Sequence, residues 1–262
     1  MSRLELAKKI ATEAGEFTLK YFYSSALEVE RKGDNTPVTD ADRGAELLLR
    51  QRITESFPGD AILGEEFPEK EGTSGYRWIL DPIDGTKSFI HGVPIYSTLI
   101  GVEKDAESLL GVIALPALGE MVWAEKGKGT WWNAPRFAEP IKASVSKTAK
   151  LADSLFLTSE VISFDKCGRR NAYNALEQKA LLTRTWGDAY GYFLVATGRA
   201  DLMVDPIMGL WDAGPLLVVI EESGGIFTDW SGKRTIYSGE GIASNGLVHE
   251  EVIAISNSNY QG

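Results

Sequence analysis

The chain has one cysteine, Cys167, so it cannot form an internal disulfide. Such usage suits a reducing compartment, and a cytoplasmic location is expected. It has two histidines, His91 and His249, too few for a His-rich zinc site. No apolar run reaches the roughly 18 residues that would suggest a membrane helix. The opening Met1-Ser2-Arg3-Leu4-Glu5 lacks the basic-then-apolar order of a secretory signal. Lys and Arg number 27 against 37 Asp and Glu, and no basic run offsets the formal charge of −10. Nucleic acid and membrane surfaces are therefore excluded as partners. Internal repeats and low-complexity tracts are also missing. What is present is 44% hydrophobic residues over 262 positions, enough for a large core in one domain or two closely packed ones.

Apolar positions recur at helical spacing over residues 3–23, and a short strand is read at 27–32. Lys32-Gly33-Asp34-Asn35-Thr36-Pro37 is turn-forming. Thr39 or Asp40 can cap a second helix running from Ala41 to about Phe57, before Pro58-Gly59. Strands are predicted at 61–66, through most of 76–125 and around Trp131-Trp132. The polar, proline-bearing stretch 133–150 marks a boundary between an N-terminal half, 1–138, and a C-terminal half, 139–262. In the second half, strands are predicted at 155–158, 181–185, 200–204, 226–229 and 242–244. Helices are predicted at 165–178, 188–197, 211–223 and 249–255. This mixture is an α+β chain.

Carboxylates gather at the edges of these elements: Asp40/Asp42, Glu65/Glu66, Asp81/Asp84 and Asp212. The densest information lies in Trp78-Ile79-Leu80-Asp81-Pro82-Ile83-Asp84-Gly85-Thr86-Lys87-Ser88. An apolar strand there delivers two acids around a proline. If the strand ends at Asp81 and the chain turns at Pro82, both acids point to one place. Gly85 and Thr86 then offer backbone N–H groups where an anion binds. Carboxylates hold hard cations and amides hold phosphate, so the segment reads as a phosphate-ester site with Mg²⁺ or Mn²⁺. Asp212, taken alone, also suits the first turn of a helix, where the macrodipole favours an acid.

Three motifs in order, Gly64-Glu65-Glu66, Asp81-Pro82-Ile83-Asp84-Gly85-Thr86 and Trp211-Asp212-Ala213-Gly214, resemble the signature of the inositol monophosphatase superfamily, over residues 4–249. The resemblance implies a layered αβαβα sandwich of the inositol monophosphatase/fructose-1,6-bisphosphatase type. It implies a Mg²⁺-dependent, lithium-sensitive phosphomonoesterase, with two or three ions and commonly a homodimer. It assigns Glu65, Asp81 and the Ile83 carbonyl to one metal, and Asp81, Asp84 and Asp212 to a second. Glu65 would also orient the attacking water, Thr86 would hydrogen-bond that water, and Asp42 would bond Thr86. The Gly85 and Thr86 amides would bind phosphate. Most metal ligands then lie in the N-terminal half, and Asp212 and the specificity segment in the C-terminal half.

Specificity is sought in Arg184-Thr185-Trp186-Gly187-Asp188-Ala189-Tyr190-Gly191-Tyr192, which resembles the histidinol-phosphatase branch of the superfamily. Carboxylates beside an indole suit a cationic alcohol portion. Asp188 and Asp205 are the expected partners of the nitrogens of L-histidinol phosphate, with Trp186 near its ring. Asp188 could instead cap the following helix, and Trp186 and Tyr190 could be core. Arg184 could touch substrate or hold an acid across a subunit interface. An inositol-1-phosphate or broad sugar-phosphate phosphatase, a nucleotide 3′-phosphatase and a non-catalytic metal-binding regulatory module remain open alternatives.

Overall fold

The computed structural model describes residues 1–24, 29–31 and 37–258. The turn expected at 32–37 lies, up to residue 36, outside the described residues. The N-terminal repeat forms helix α1 (Arg3–Leu19), capped by Ser2 and Glu5 in reciprocal hydrogen bonds. Strands β1 (Val29–Arg31) and β2 (Pro37–Thr39) pair antiparallel. Helix α2 (Asp40–Ser56) starts where the Thr39 hydroxyl accepts from the Ala41 and Asp42 amides.

Next come β3 (Ala61–Gly64), β4 (Tyr76–Asp84), the short helix α3 (Thr86–Ile90), β5 (Ser97–Lys104), β6 (Glu107–Leu115), β7 (Glu120–Glu125), β8 (Thr130–Asn133) and β9 (Ile141–Lys142). These seven strands form one sheet in sequence order, parallel only between β3 and β4. Strand β9 belongs to this sheet although it lies beyond the boundary expected at 138/139. The second half contains β10 (Leu155–Leu157), α4 (Val161–Lys166), α5 (Arg170–Lys179), β11 (Leu182–Arg184), α6 (Ala189–Ala196), β12 (Leu202–Asp205), α7 (Leu210–Glu222), β13 (Ile226–Thr228), β14 (Gly241–Ser244) and α8 (His249–Ser258). Its sheet has the order β11-β10-β12-β14-β13. The single helix expected over 165–178 is two, because Gly168 at φ 66° ends α4 in the left-handed conformation. Among the described residues no helix is long and apolar enough to cross a membrane.

Alternation along the strands stacks these elements in five layers, αβαβα. Trp78, Leu80, Ile100 and Val102 pack on α1 and α2 through Leu6, Ile10, Leu49 and Ile53. Ile79, Leu99, Ile113 and Val122 point the other way, onto Phe193 of α6 and Leu216 of α7. The far side of these helices meets Met203, Phe227 and Ala243 of the second sheet. The outer face of that sheet, with Phe156, Leu202 and Ile242, is covered by Phe164, Leu176 and Val252 of α4, α5 and α8.

The central helix α7 touches the first sheet backbone to backbone. Gly101 and Gly111 face each other across β5 and β6. A Cβ on Gly101 would lie 2.6 Å from the Gly214 carbonyl carbon, and one on Gly111 would lie 2.3 Å from the Pro215 carbonyl oxygen. Only glycine admits this approach, and it fixes the height of the α7 N-terminus above β4. Gly111→Ala should therefore push α7 off the sheet at an overpacking cost of about 1–3 kcal/mol. A melting temperature lower by several degrees is expected in calorimetry, and an unchanged one would show that α7 can shift freely.

Candidate active site

Strand β4 runs through Pro82 instead of turning there, contrary to the sequence expectation. Its register with β5 moves from Asp81↔Leu99 to Asp84↔Ser97, three residues against two. This one-residue bulge brings Asp81 and Asp84 to the same side, where a regular strand would point them apart. Thr98 Oγ1 secures the bulge by donating to the Pro82 carbonyl at 2.9 Å. Gly85, at φ 77° and ψ 42°, then turns the chain into α3. The first-turn amides of that helix have no acceptor within it.

Asp212 enters from the first turn of α7, its Oδ2 accepting from the Gly209 amide at 2.7 Å. This residue caps the helix and also reaches the other two acids. One carboxylate oxygen each from Asp81, Asp84 and Asp212 lie within 4.8 Å of one another. Asp84 is oriented from both halves of the chain: its Oδ2 accepts from Ser97 Oγ at 2.6 Å and from the Ala189 amide at 2.8 Å. Asp81 Oδ1 accepts from the Ile83 amide at 3.0 Å. Glu65, just after β3, completes the wall of a cleft of about 190 Å³ that also holds Ile83, Gly85, Thr86, Lys87, Asp188 and Trp211.

The cleft is strongly acidic. Five carboxylates line it against one ammonium, Lys87, which is itself paired with Glu160 at 2.9 Å. Burial, and then the charge of Glu65, holds the Asp81 carboxyl well above the usual carboxylate range. Burial and the nearby Asp188 do the same to Asp84. Burial, and then the charge of Glu65, pushes Asp212 up to about 7. An oxygen-only donor set of this density fits a hard divalent ion.

Thr86 and Asp42 stand beside the cluster. Thr86 Oγ1 lies 3.0 Å from the Ile83 carbonyl and 3.5 Å from Asp42 Oδ1, so the nearer carbonyl takes its proton here. A turn of this hydroxyl toward Asp42 would free the Ile83 carbonyl for other use. The other oxygen of Asp42 accepts from the Thr39 amide and hydroxyl. Burial raises the Asp42 carboxyl to about 6.

The specificity segment divides. Asp188 lies in the cleft, with φ 52° and ψ −154°, a strained conformation for a non-glycine residue. A Cβ on Gly85 would lie 2.8 Å from Asp188 Oδ2, so the carboxylate sits directly over the Gly85 turn. It does not cap α6 with its side chain. Burial and the charge of Asp205 push it up to about 6. Asp205, expected to meet substrate, is 3% exposed and accepts four hydrogen bonds, from Thr158 Oγ1, the Ser159 amide, Ser159 Oγ and Tyr192 OH. With its lone pairs engaged, it braces an adjoining cavity of about 70 Å³. Trp186 is 42% exposed and outside both cavities. Arg184 is exposed on β11, donating to the Thr183 carbonyl. Neither is brought into the cleft. Tyr190 packs at the margin of the core, and Cys167 lines neither cavity.

Two contributors escaped the sequence reading. Ser97 orients Asp84, and Ser159 accepts from the Asp188 amide at 2.9 Å while donating to Asp205. Both are single serines with no motif around them, reached only through strand pairing and the second sheet.

Comparison with known proteins places this geometry in a lineage. The chain is 43% identical over 256 residues to the histidinol-phosphatase of Chlorobaculum parvum, covering 97% of this chain and 96% of that one. It is 38% identical over 250 residues to the histidinol-phosphatase of Mycobacterium tuberculosis, covering 95% and 96%. Among solved structures it superposes on the Thermotoga maritima IMPase with a TM-score of 0.86 at 31% identity, covering 98% of each chain. The description of the inositol monophosphatase family matches residues 2–261. The chain belongs to the inositol monophosphatase family.

Proposed function

We propose that this protein is a metal-dependent phosphomonoesterase that hydrolyses L-histidinol phosphate to L-histidinol and phosphate, the phosphatase step of histidine biosynthesis. The observation that carries the reading is the convergence of Asp81, Asp84 and Asp212 within 4.8 Å, beside the Gly85-Thr86 turn with Asp188 above it. Identity of 35–43% to proteins named histidinol-phosphatase, over almost the whole chain, supports the substrate. The family neighbours named for inositol-1-phosphate and fructose-1,6-bisphosphate have identities of 29–33%.

Glu65, Asp81, the Ile83 carbonyl, Asp84 and Asp212 would hold Mg²⁺, two or three ions in all, with Mn²⁺ as a substitute. Bound there, the metal would supply positive charge to the phosphoryl oxygens and lower the pKa of a water toward neutrality. Glu65 and Thr86 orient the attacking water for in-line displacement. The Thr86 hydroxyl can donate to Asp42 while accepting from that water, and Asp42 keeps the hydroxyl in this orientation. The Gly85 and Thr86 amides bind the phosphoryl oxygens. Asp188 pairs with a substrate nitrogen, which explains why an acid occupies a strained position against the phosphate turn. Homodimerisation in the cytoplasm completes the reading. Exposed Leu182 on the edge strand β11, with exposed Leu181 just before it, and the single cysteine support it.

Asp84→Asn removes one charge from the cluster while keeping an acceptor for Ser97 and Ala189. Turnover at saturating Mg²⁺ should fall to less than about a tenth of wild type, with an unchanged circular dichroism spectrum. Higher residual activity would remove Asp84 from the ligand set.

Metal binding should displace protons. The raised carboxyls of Asp81, Asp84 and Asp212 hold protons in the folded, metal-free protein that an unfolded chain has already lost near pH 4. Stability of the metal-free protein should therefore fall as pH rises from about 4 through 7. Calorimetric titration with Mg²⁺ in two buffers of different ionisation enthalpy should show proton release at pH 6.5 and less of it at pH 9. Identical heats in both buffers at pH 6.5 would contradict the raised values.

Asp188→Asn should separate substrates. Loss of a charged hydrogen bond, about 1.5–3 kcal/mol, corresponds to roughly a ten- to hundred-fold drop in kcat/KM for histidinol phosphate. Glycerol phosphate, which carries no cation, should change much less. Equal losses on both would assign Asp188 to the metal site or the fold, and a wild type with no preference for histidinol phosphate would favour the inositol-phosphate alternative.

A further inference from the structure

Helix α2 carries a second acid toward the active site that the mechanism above does not use. Glu46 lies one helical turn beyond Asp42 on the same face and is completely buried. Its Oε2 accepts from the Glu66 amide at 2.8 Å, and its Oε1 accepts from Arg50 Nε at 2.7 Å. Arg50, one turn further, donates through Nη2 to the Phe67 carbonyl at 2.9 Å. The turn that follows β3 is therefore gripped at the amide of residue 66 and the carbonyl of residue 67. On the opposite side the Glu65 amide donates to the Leu80 carbonyl of β4 at 3.3 Å.

Gly64 makes this grip possible. A Cβ there would lie 2.1 Å from Glu46 Oε1 and 2.4 Å from its carboxyl carbon. The glycine of Gly64-Glu65-Glu66 thus leaves space for a carboxylate from another element. A carboxylate buried this deeply, with a partly buried arginine as its partner, is a poor choice for stability alone, since apolar residues of similar volume often do as well. Burial raises the Glu46 carboxyl, and the Glu66 amide and Arg50 oppose that rise.

We propose that Glu46, locked by Arg50, is a positioning residue that fixes the backbone of Glu65 so that its carboxylate faces Asp81 and Asp212. The proposal rests on the reading of Glu65 as a metal ligand. Asp42, Glu46 and Arg50 then form one stripe of α2 devoted to the site, the first acting on Thr86 and the other two on the Glu65 turn.

The test uses the full chain with Glu46→Gln, Arg50→Lys and, as a control, Arg52→Met, which alters an exposed ion pair on the same helix. Mg²⁺ affinity is measured by calorimetric titration without substrate, and melting temperature gives the folded fraction. Glu46→Gln loses the ionic lock, and Arg50→Lys keeps the charge but loses the planar fork. Each should weaken Mg²⁺ binding by about ten- to a hundred-fold, the range for residues that orient metal ligands. At saturating Mg²⁺, KM for histidinol phosphate should stay within about twofold of wild type while kcat falls, because the phosphate contacts are untouched. Arg52→Met should bind Mg²⁺ as wild type does. Variants with lower melting temperatures but wild-type Mg²⁺ affinity per folded molecule would overturn the proposal and leave the clamp a purely structural role. If Glu46→Gln does not fold, Arg50→Lys decides by the same measurement. A wrong substrate assignment would appear separately, as no turnover of histidinol phosphate by the wild type.

Discussion

The contact between α7 and the paired glycines of β5 and β6 is the constraint from which the site follows. Asp81 and Asp84 sit on a strand, Asp212 on a helix from the other half of the chain, and a three-carboxylate cluster forms only if the distance between the two is set. Side chains between a helix and a sheet would set it loosely, because they can change rotamer. Backbone against backbone cannot adjust in that way. Gly101 and Gly111 bring the sheet against the backbone of Gly214 and Pro215, and Gly214 lies close on the Ile79 side chain, so the height of Asp212 above β4 is set by a contact with little freedom to adjust. The buried apolar faces on either side of α7 hold this contact closed.

The sequence disclosed the parts of the site that lie close together along the chain, and those that any helix or strand period exposes. The acids of 81–86 were legible because an apolar strand leads into them. Their convergence was legible too, although its cause was read as a turn at Pro82. A bulge was needed, and bulges depend on the register of a neighbouring strand that the local sequence does not contain. The five layers were readable through family resemblance and consistent with the alternation of strands and helices. Distant partners were not readable. Ser97, Ser159 and Glu46 act through side chains that meet the site only after two or three elements have packed. Asp205 was expected to meet substrate because the family resemblance places an acid there facing the alcohol portion. What the sequence did not disclose is its burial and its hydrogen bonds to Thr158, Ser159 and Tyr192, at the wall of the cavity it shares with Asp188 and Asp212. Trp186 and Arg184 were named from the resembling segment and from residue type, and β11 with the loop after it leaves both at the surface, outside the cleft.

Function and stability pull against each other in the cleft. Like charges gathered in a buried space are costly, and neutral, protonated carboxyls relieve that cost at the expense of the ligands the chemistry needs. The same conflict explains the hydrogen bonds that surround the cluster. Ser97 and the Ala189 amide share one oxygen of Asp84, the Gly209 amide takes one oxygen of Asp212, and each acid keeps its other oxygen. The donors are backbone groups or short hydroxyls, which carry no charge of their own. A lysine or arginine in their place would neutralise the acids and compete with a cation for them.

Asp81 and Asp212 also stand far apart in the chain, and the protein has no covalent cross-link. An ion gripped by both would bridge positions roughly 130 residues apart and, unlike a disulfide, would stabilise the chain by binding its folded state and leaving the unfolded one. The stretch between them includes the whole of the first sheet beyond β4 and the greater part of the second half. The centre that performs the chemistry would then also serve as a clasp between the two halves, fastened or released by the supply of metal.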